Sequence, residues 1–133
     1  MSGPTLEVRN LDNILAELGK LDDLIGELAE PTREVLQLLK ERMQEYPPER
    51  PNQRYVRTND LKNGWDEYVI LAGDRLGLLR NNVPYGHLVQ SEKEQAWMHV
   101  GRWPTDQQVV DEKEDQAVRI YEAYLRRRLA EIG

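Results

Sequence analysis

The run "WDEYVILAGDRLGLLRNN", residues 65–82, decides how this chain folds. Its first half is aromatic and β-branched, its second half is leucine-rich, and Gly73-Asp74 stands between them. A glycine-led pair suits a tight two-residue turn, so the run predicts two antiparallel strands at about 65–72 and 75–82.

Upstream lies "PPERPNQRYVRTNDLKNG", residues 47–64, which is proline-rich, polar and locally basic through Arg50, Arg54, Arg57 and Lys62. That composition reads as a connecting loop. Further back, Leu11, Ile14, Leu18, Leu21, Ile25, Leu28, Val35 and Leu39 recur at helical spacing and form one apolar stripe. Pro31 suits a first helical position, so a break near residue 30 and a fresh helix are expected. This second helix must stop before Pro47 and Pro48. Thr32 and Arg42 fall on the heptad seam, which favours intramolecular packing over a coiled coil between copies but leaves both open. At the very start, "TLEVRN" reads as a short extended piece.

Downstream, Thr105-Asp106-Gln107-Gln108 has the form of a capping box, in which Thr105 accepts from first-turn amides and Gln108 reaches back. Val110, Ala117, Tyr121, Tyr124 or Leu125, Leu129 and Ile132 then recur on one side, predicting a helix of about 25 residues, roughly 40 Å long. Such a helix is long for a small domain, and part of it is expected to meet a neighbour. The expected fold is therefore α+β: N-terminal helices, a small antiparallel β region containing a hairpin, and a long C-terminal helix.

The 133 residues match one core, so a single domain over 1–133 is expected. Twenty-four acidic against 18 basic side chains leave a net charge of -6, which opposes general phosphate binding. With no cysteine there is no disulfide, thiolate metal site or cysteine nucleophile. No apolar leader or membrane-length run is visible, and a soluble, cytosolically made protein is expected.

Chemistry concentrates, if anywhere, in "NNVPYGHLVQSEKEQAWMHVGRWP", residues 81–104, which holds both histidines and two of the three tryptophans. His87 and His99 with Glu92 or Glu94 are the candidate zinc ligands. Eleven residues between the histidines do not match the compact H-E-x-x-H arrangement, and Ser91 with Glu94 reads equally as a helix cap. There is no nucleophile elbow and no phosphate-cradling glycine loop. Acid pairs such as Asp22-Asp23, Asp66-Glu67 and Asp111-Glu112 read as solvated surface. Arg126-Arg127-Arg128 closes a helix that acids open, a polarity that complements the helix dipole without any ligand. Tyr85, Trp97, Met98 and Trp103 read as packing or interface residues, since aromatic anchors are favoured there. Neither a catalytic residue, a metal nor a cofactor is expected.

Three stretches, "RTNDLKNGW" (57–65), "NNVPYGHLVQ" (81–90) and "GRWPTDQQVV" (101–110), stand in an order that resembles the small tail-completion or neck proteins of long-tailed bacteriophages and prophages. The resemblance spans most of residues 11–130, with two departures: Asn59 where that family tends to have glycine, and Gly64 where it often has serine. The second departure leaves the start of the first hairpin strand in question. The resemblance implies a non-catalytic virion component, made in the bacterial host cytoplasm. Copies would assemble as a ring at the neck or head-proximal end of the tail, joining tail to connector, with DNA passing through but not specifically bound. Candidate interface residues are Tyr85, Trp97, Trp103, Arg54, Arg57, Arg126 and Arg127. The alternatives are a small helical adaptor that binds a partner helix through its N-terminal stripe, and a cryptic metal enzyme built on His87 and His99.

Overall fold

The computed structural model describes residues 4–8, 28–48, 60–72 and 75–132. At its centre, β2 (Trp65–Ala72) pairs antiparallel with β3 (Arg75–Asn81), Trp65 opposite Asn81 and Ala72 opposite Arg75. The hairpin thus forms where the composition of residues 65–82 requires it; positions 73 and 74, the expected turn, lie outside the described residues. The ladder is not regular. Between Val69 and Ala72 the register slips by one residue relative to Gly77 and Arg75, and Leu71 takes a φ of 48°, in the left-handed region.

Residues 5–8 of the extended start form β1 (Thr5–Val8), which pairs with β3 from Thr5 opposite Arg80 to Val8 opposite Gly77. The sheet order is β1-β3-β2, so β2 is an edge strand and its bulge interrupts that edge. Strand alternation sends Leu6, Trp65, Val69 and Leu79 to one face, and all four belong to the main core cluster or pack against it.

The first helix described, α1 (Ala29–Met43), covers that face. Leu28, Thr32, Val35, Leu36, Leu39 and Met43 are all buried and fall on one side of it. Close approach is possible because β3 has Gly77 at the crossing: a Cβ there would meet Thr32 Cγ2 at 2.7 Å and Leu36 Cδ1 at 3.1 Å. Pro31 stands at the third helical position, two residues later than expected. The first four amides of a helix lack intrahelical partners, so proline costs no hydrogen bond there either. The helix ends at Met43, ahead of the prolines, as expected. The upstream stripe from Leu11 to Ile25 lies outside the described residues.

Residues 60–63 of the expected 47–64 loop instead form α2 (Asp60–Asn63), a helical turn that buries Leu61; positions 49–59 lie outside the described residues. Gly64 then sits where a Cβ would meet Val83 Cγ2 at 2.8 Å and the Asn81 and Asn82 Oδ1 atoms at 2.9 Å. Glycine at 64 is therefore what lets strand β2 begin at Trp65, and the doubt raised by this departure is resolved in favour of the strand. Asn81, fully buried, donates to Leu61 O at 2.7 Å and accepts from Val83 N at 2.9 Å, binding the strand exit to α2.

The last helix is α4 (Asp106–Ile132), since α3 (Gly86–Gln90) intervenes after the hairpin. Thr105 Oγ1 accepts from Gln108 N at 3.2 Å, but the Gln108 side chain donates forward to Glu112 Oε1 at 3.0 Å. Only half of the expected capping box forms. The buried stripe on α4 is Val109, Tyr121, Tyr124 and Leu125, with Val110 only partly buried, so the core-facing row starts one residue before the expected Val110. Three contacts show that α4 runs antiparallel along α1: Arg42 with Glu112, Thr32 with Tyr121, and Glu30 with Arg127. The two polar seam residues, Thr32 and Arg42, thus mark the interhelical contact within one chain.

Candidate protein–protein interface

The stretch from Tyr85 to Trp103 is folded by short-range hydrogen bonds and buried amides. Asn81-Asn82 ends the strand, Pro84-Tyr85 turns, and α3 follows. Gln90 closes this helix into the body: fully buried, its Nε2 donates to Met43 O at 2.8 Å and to Pro104 O at 3.1 Å. It satisfies a carbonyl orphaned at the C-terminal end of α1 while holding the approach to α4. Gln95 does the same for the return, donating to Val89 O at 2.7 Å and His99 O at 3.2 Å. Ala96 N donates to Leu88 O at 2.7 Å, which sets the single 3-10 turn Trp97–His99 beside α3. No helix starts at Ser91, so the expected cap there does not exist; Ser91 instead ends α3, and Glu94 closes a turn onto its carbonyl.

A firmly tied segment results, whose exterior carries several apolar side chains beside the charged run Glu92-Lys93-Glu94. Trp97 is 83% exposed, Val100 64%, Met98 50%, Leu88 45% and Tyr85 41%. Tyr85 and Leu88 are one turn apart, and Ala96, the residue before Trp97, donates its backbone amide to Leu88 O. Below this surface Trp103 is half-buried: its ring lies 4.6 Å from that of Tyr46, against a small cluster of Leu61, Val83 and Val89. Of the expected aromatic interface residues, Tyr85 and Trp97 are exposed, whereas Trp103 is half-buried against the Leu61, Val83 and Val89 cluster. Leu88 and Val100 carry no sequence signal for exposure, because α3 and the 3-10 turn are too short for periodicity to reveal.

The histidines lie apart in role. His87 Nδ1 is 2.6 Å from Pro84 O, its Nε2 is 3.9 Å from Glu94 Oε2, and the His99 ring meets Trp103 edge-on at 6.0 Å. Among the described residues no group of three or more His, Asp or Glu is placed to hold a metal ion, and no helix is long and apolar enough to cross a membrane.

The arginines of α4 do not end the helix. They sit a turn short of Ile132, and its last turn holds no base, so the dipole, which acts within the last turn, is not their main partner. Arg127 approaches Glu30 at 3.5 Å and lies 5.3 Å above the Tyr124 ring, Arg128 pairs with Glu131, and Arg126 is exposed. Arg54 and Arg57 lie outside the described residues. Between the two helices at this end are two adjoining hollows of about 420 and 290 Å³, both reached by Glu30, Tyr124 and Arg127.

Electrostatics elsewhere is structural. Arg42 donates twice to Glu112, at 2.7 and 3.1 Å; this hydrogen bonding raises the guanidinium pKa and lowers that of the carboxyl. Burial pushes the Tyr121 phenol up to about 12, against the opposing hydrogen bond from Thr32.

Comparison of the chain with protein-family models, with curated proteins and with solved structures returns no match. The likeness to tail-completion and neck proteins thus rests on the three quoted stretches.

Proposed function

We propose that this chain is a non-catalytic assembly protein of a tailed-phage virion, which forms an oligomeric ring at the neck or head-proximal end of the tail and joins tail to connector. The observation that carries the assembly role is the set of exposed apolar side chains Tyr85, Leu88, Trp97, Met98 and Val100 on a segment held in place by Gln90 and Gln95. Apolar surface kept on a well-anchored segment suits lasting protein contact better than solvent. The placement in a virion rests on the resemblance of residues 57–65, 81–90 and 101–110. An adaptor using an N-terminal apolar stripe is less favoured, because the part of that stripe on α1 is already buried.

The test is a joining assay with separated heads and tails of the phage that encodes the chain, made without it. Adding the purified protein restores infectious particles in this reading. Particles that form equally well without it, or a protein that binds neither heads nor tails, would overturn the virion role.

A further inference from the structure

We infer that His87 and Glu94 form a proton-operated latch on the turn that leads to Trp97, open when the imidazole is neutral and closed when it is charged. The latch belongs to the single chain and does not depend on what its exposed side chains meet.

The tautomer decides how the latch works. His87 Nδ1 lies 2.6 Å from Pro84 O, and a carbonyl can only accept, so Nδ1 carries the proton of the neutral ring. Nε2 is then a bare lone pair. It faces Glu94 Oε2 across 3.9 Å, acceptor against acceptor, where no hydrogen bond can form. A second proton on the ring must go to Nε2. It turns the same contact into a charge-assisted hydrogen bond, for which the carboxylate has about 1 Å to travel. Its side chain is 43% exposed, so no core packing opposes that move. Histidine makes this change of charge between about pH 5 and 8.

Position gives the latch its consequence. His87 is on α3, and Glu94 ends the short turn that follows: Ser91 N donates to His87 O, and Glu94 N to Ser91 O. The next two residues dock the chain back on α3, Gln95 Nε2 on Val89 O and Ala96 N on Leu88 O, and Trp97 comes directly after them. A closed latch adds a side-chain tie one residue before these bonds, so the base of the Trp97–His99 turn opens less often. Other charged groups around α3 leave the pair alone. Glu92 and Lys93 on the turn are exposed, and Asp106 at the start of α4 accepts from Glu92 N. Asp60 and Lys62 lie on α2, which approaches α3 through Leu61 and Gly86. Among the described residues, the ion pair of His87 is with Glu94.

The test is hydrogen exchange at the Glu94 and Ala96 amides at about pH 5 and pH 8, corrected for the intrinsic pH dependence of exchange, in wild type, Glu94→Gln and Glu94→Ala. Position 94 is exposed, and circular dichroism melts check that both variants keep the fold. In the wild type, protection of both amides rises about two- to fivefold on acidification, the scale of a part-exposed ion pair. Glu94→Gln can donate its side-chain amide to the neutral Nε2, so its latch is closed at both pH values and protection no longer changes. Glu94→Ala has no latch, and protection stays at the wild-type pH 8 level. His99, the other histidine, is present in all three proteins, so differences among them report His87. Nitrogen-15 spectra of the His87 ring at pH 8 show the Nδ1–H tautomer. Wild-type protection that ignores pH, or a response as large in Glu94→Ala or Glu94→Gln, overturns the latch. So does an Nε2–H tautomer at pH 8.

Discussion

The Thr32 and Tyr121 hydroxyls share a buried hydrogen bond of 2.6 Å that joins α1 to α4 across 89 positions of sequence. Thr32 also lies where Gly77 brings the sheet closest to α1, so this one contact is surrounded by sheet and both helices. Removing the phenol oxygen by Tyr121→Phe should cost about 1 kcal/mol, the usual net value of such a bond, read as a lower urea midpoint with unchanged slope.

Alkaline titration gives a second reading of the same residue. The folded phenol is pushed up to about 12, whereas an unfolded tyrosine ionises near 10. Between these values the folded state holds the proton more tightly, so its contribution is complete below pH ~10 and is lost as pH rises toward about 12. Wild-type urea midpoints should fall more steeply in that window than those of Tyr121→Phe.

Gly64→Ser tests the tight passage between α2 and β2. The added Cβ would meet Val83 and Asn81, and Asn81 is itself held by two hydrogen bonds. Overpacking of this kind costs about 1–3 kcal/mol, which thermal melts would show as a clear drop in Tm. Serine is the residue that the resembling family often has here, so tolerance of it would also mean that Asn81 can be repacked.

Much of the fold was legible because long-range packing agreed with local pattern. The 65–82 run and the Thr105 cap state their structures in adjacent residues. What stayed hidden depends on distant partners: β1 pairs with β3 some seventy residues away, and the bulge at Leu71 leaves no mark in composition. Gln90 looks like one more polar residue, yet its role is set by carbonyls at 43 and 104. Tyr85, Trp97 and Trp103 are equal candidates by their chemistry alone; that the first two are exposed and the third half-buried is set by the fold around them.

Gln90→Leu keeps nearly the same volume but leaves Met43 O and Pro104 O without their donor. The expected loss is about 1–3 kcal/mol. Hydrogen exchange should show the earliest opening at residues 86–104, where the clasp acts, and not in the hairpin.

Arg42→Ala should cost little, at most about 1 kcal/mol, because its bond to Glu112 is largely solvent-facing. The Glu112 carboxyl is held below its ordinary range by Arg42, so the pair contributes above the unfolded carboxylate pKa and its contribution is lost as pH falls through the lower folded value. The difference between wild type and Arg42→Ala should therefore shrink on acidification and in high salt.

The proposed self-assembly through the exposed side chains around Trp97 is tested most directly by native mass spectrometry of wild type and Trp97→Glu over a concentration series. The expected result is one closed oligomer of fixed copy number for the wild type and a folded monomer for the variant. A wild type that remains monomeric at every concentration, or a variant with the wild-type copy number, would contradict it.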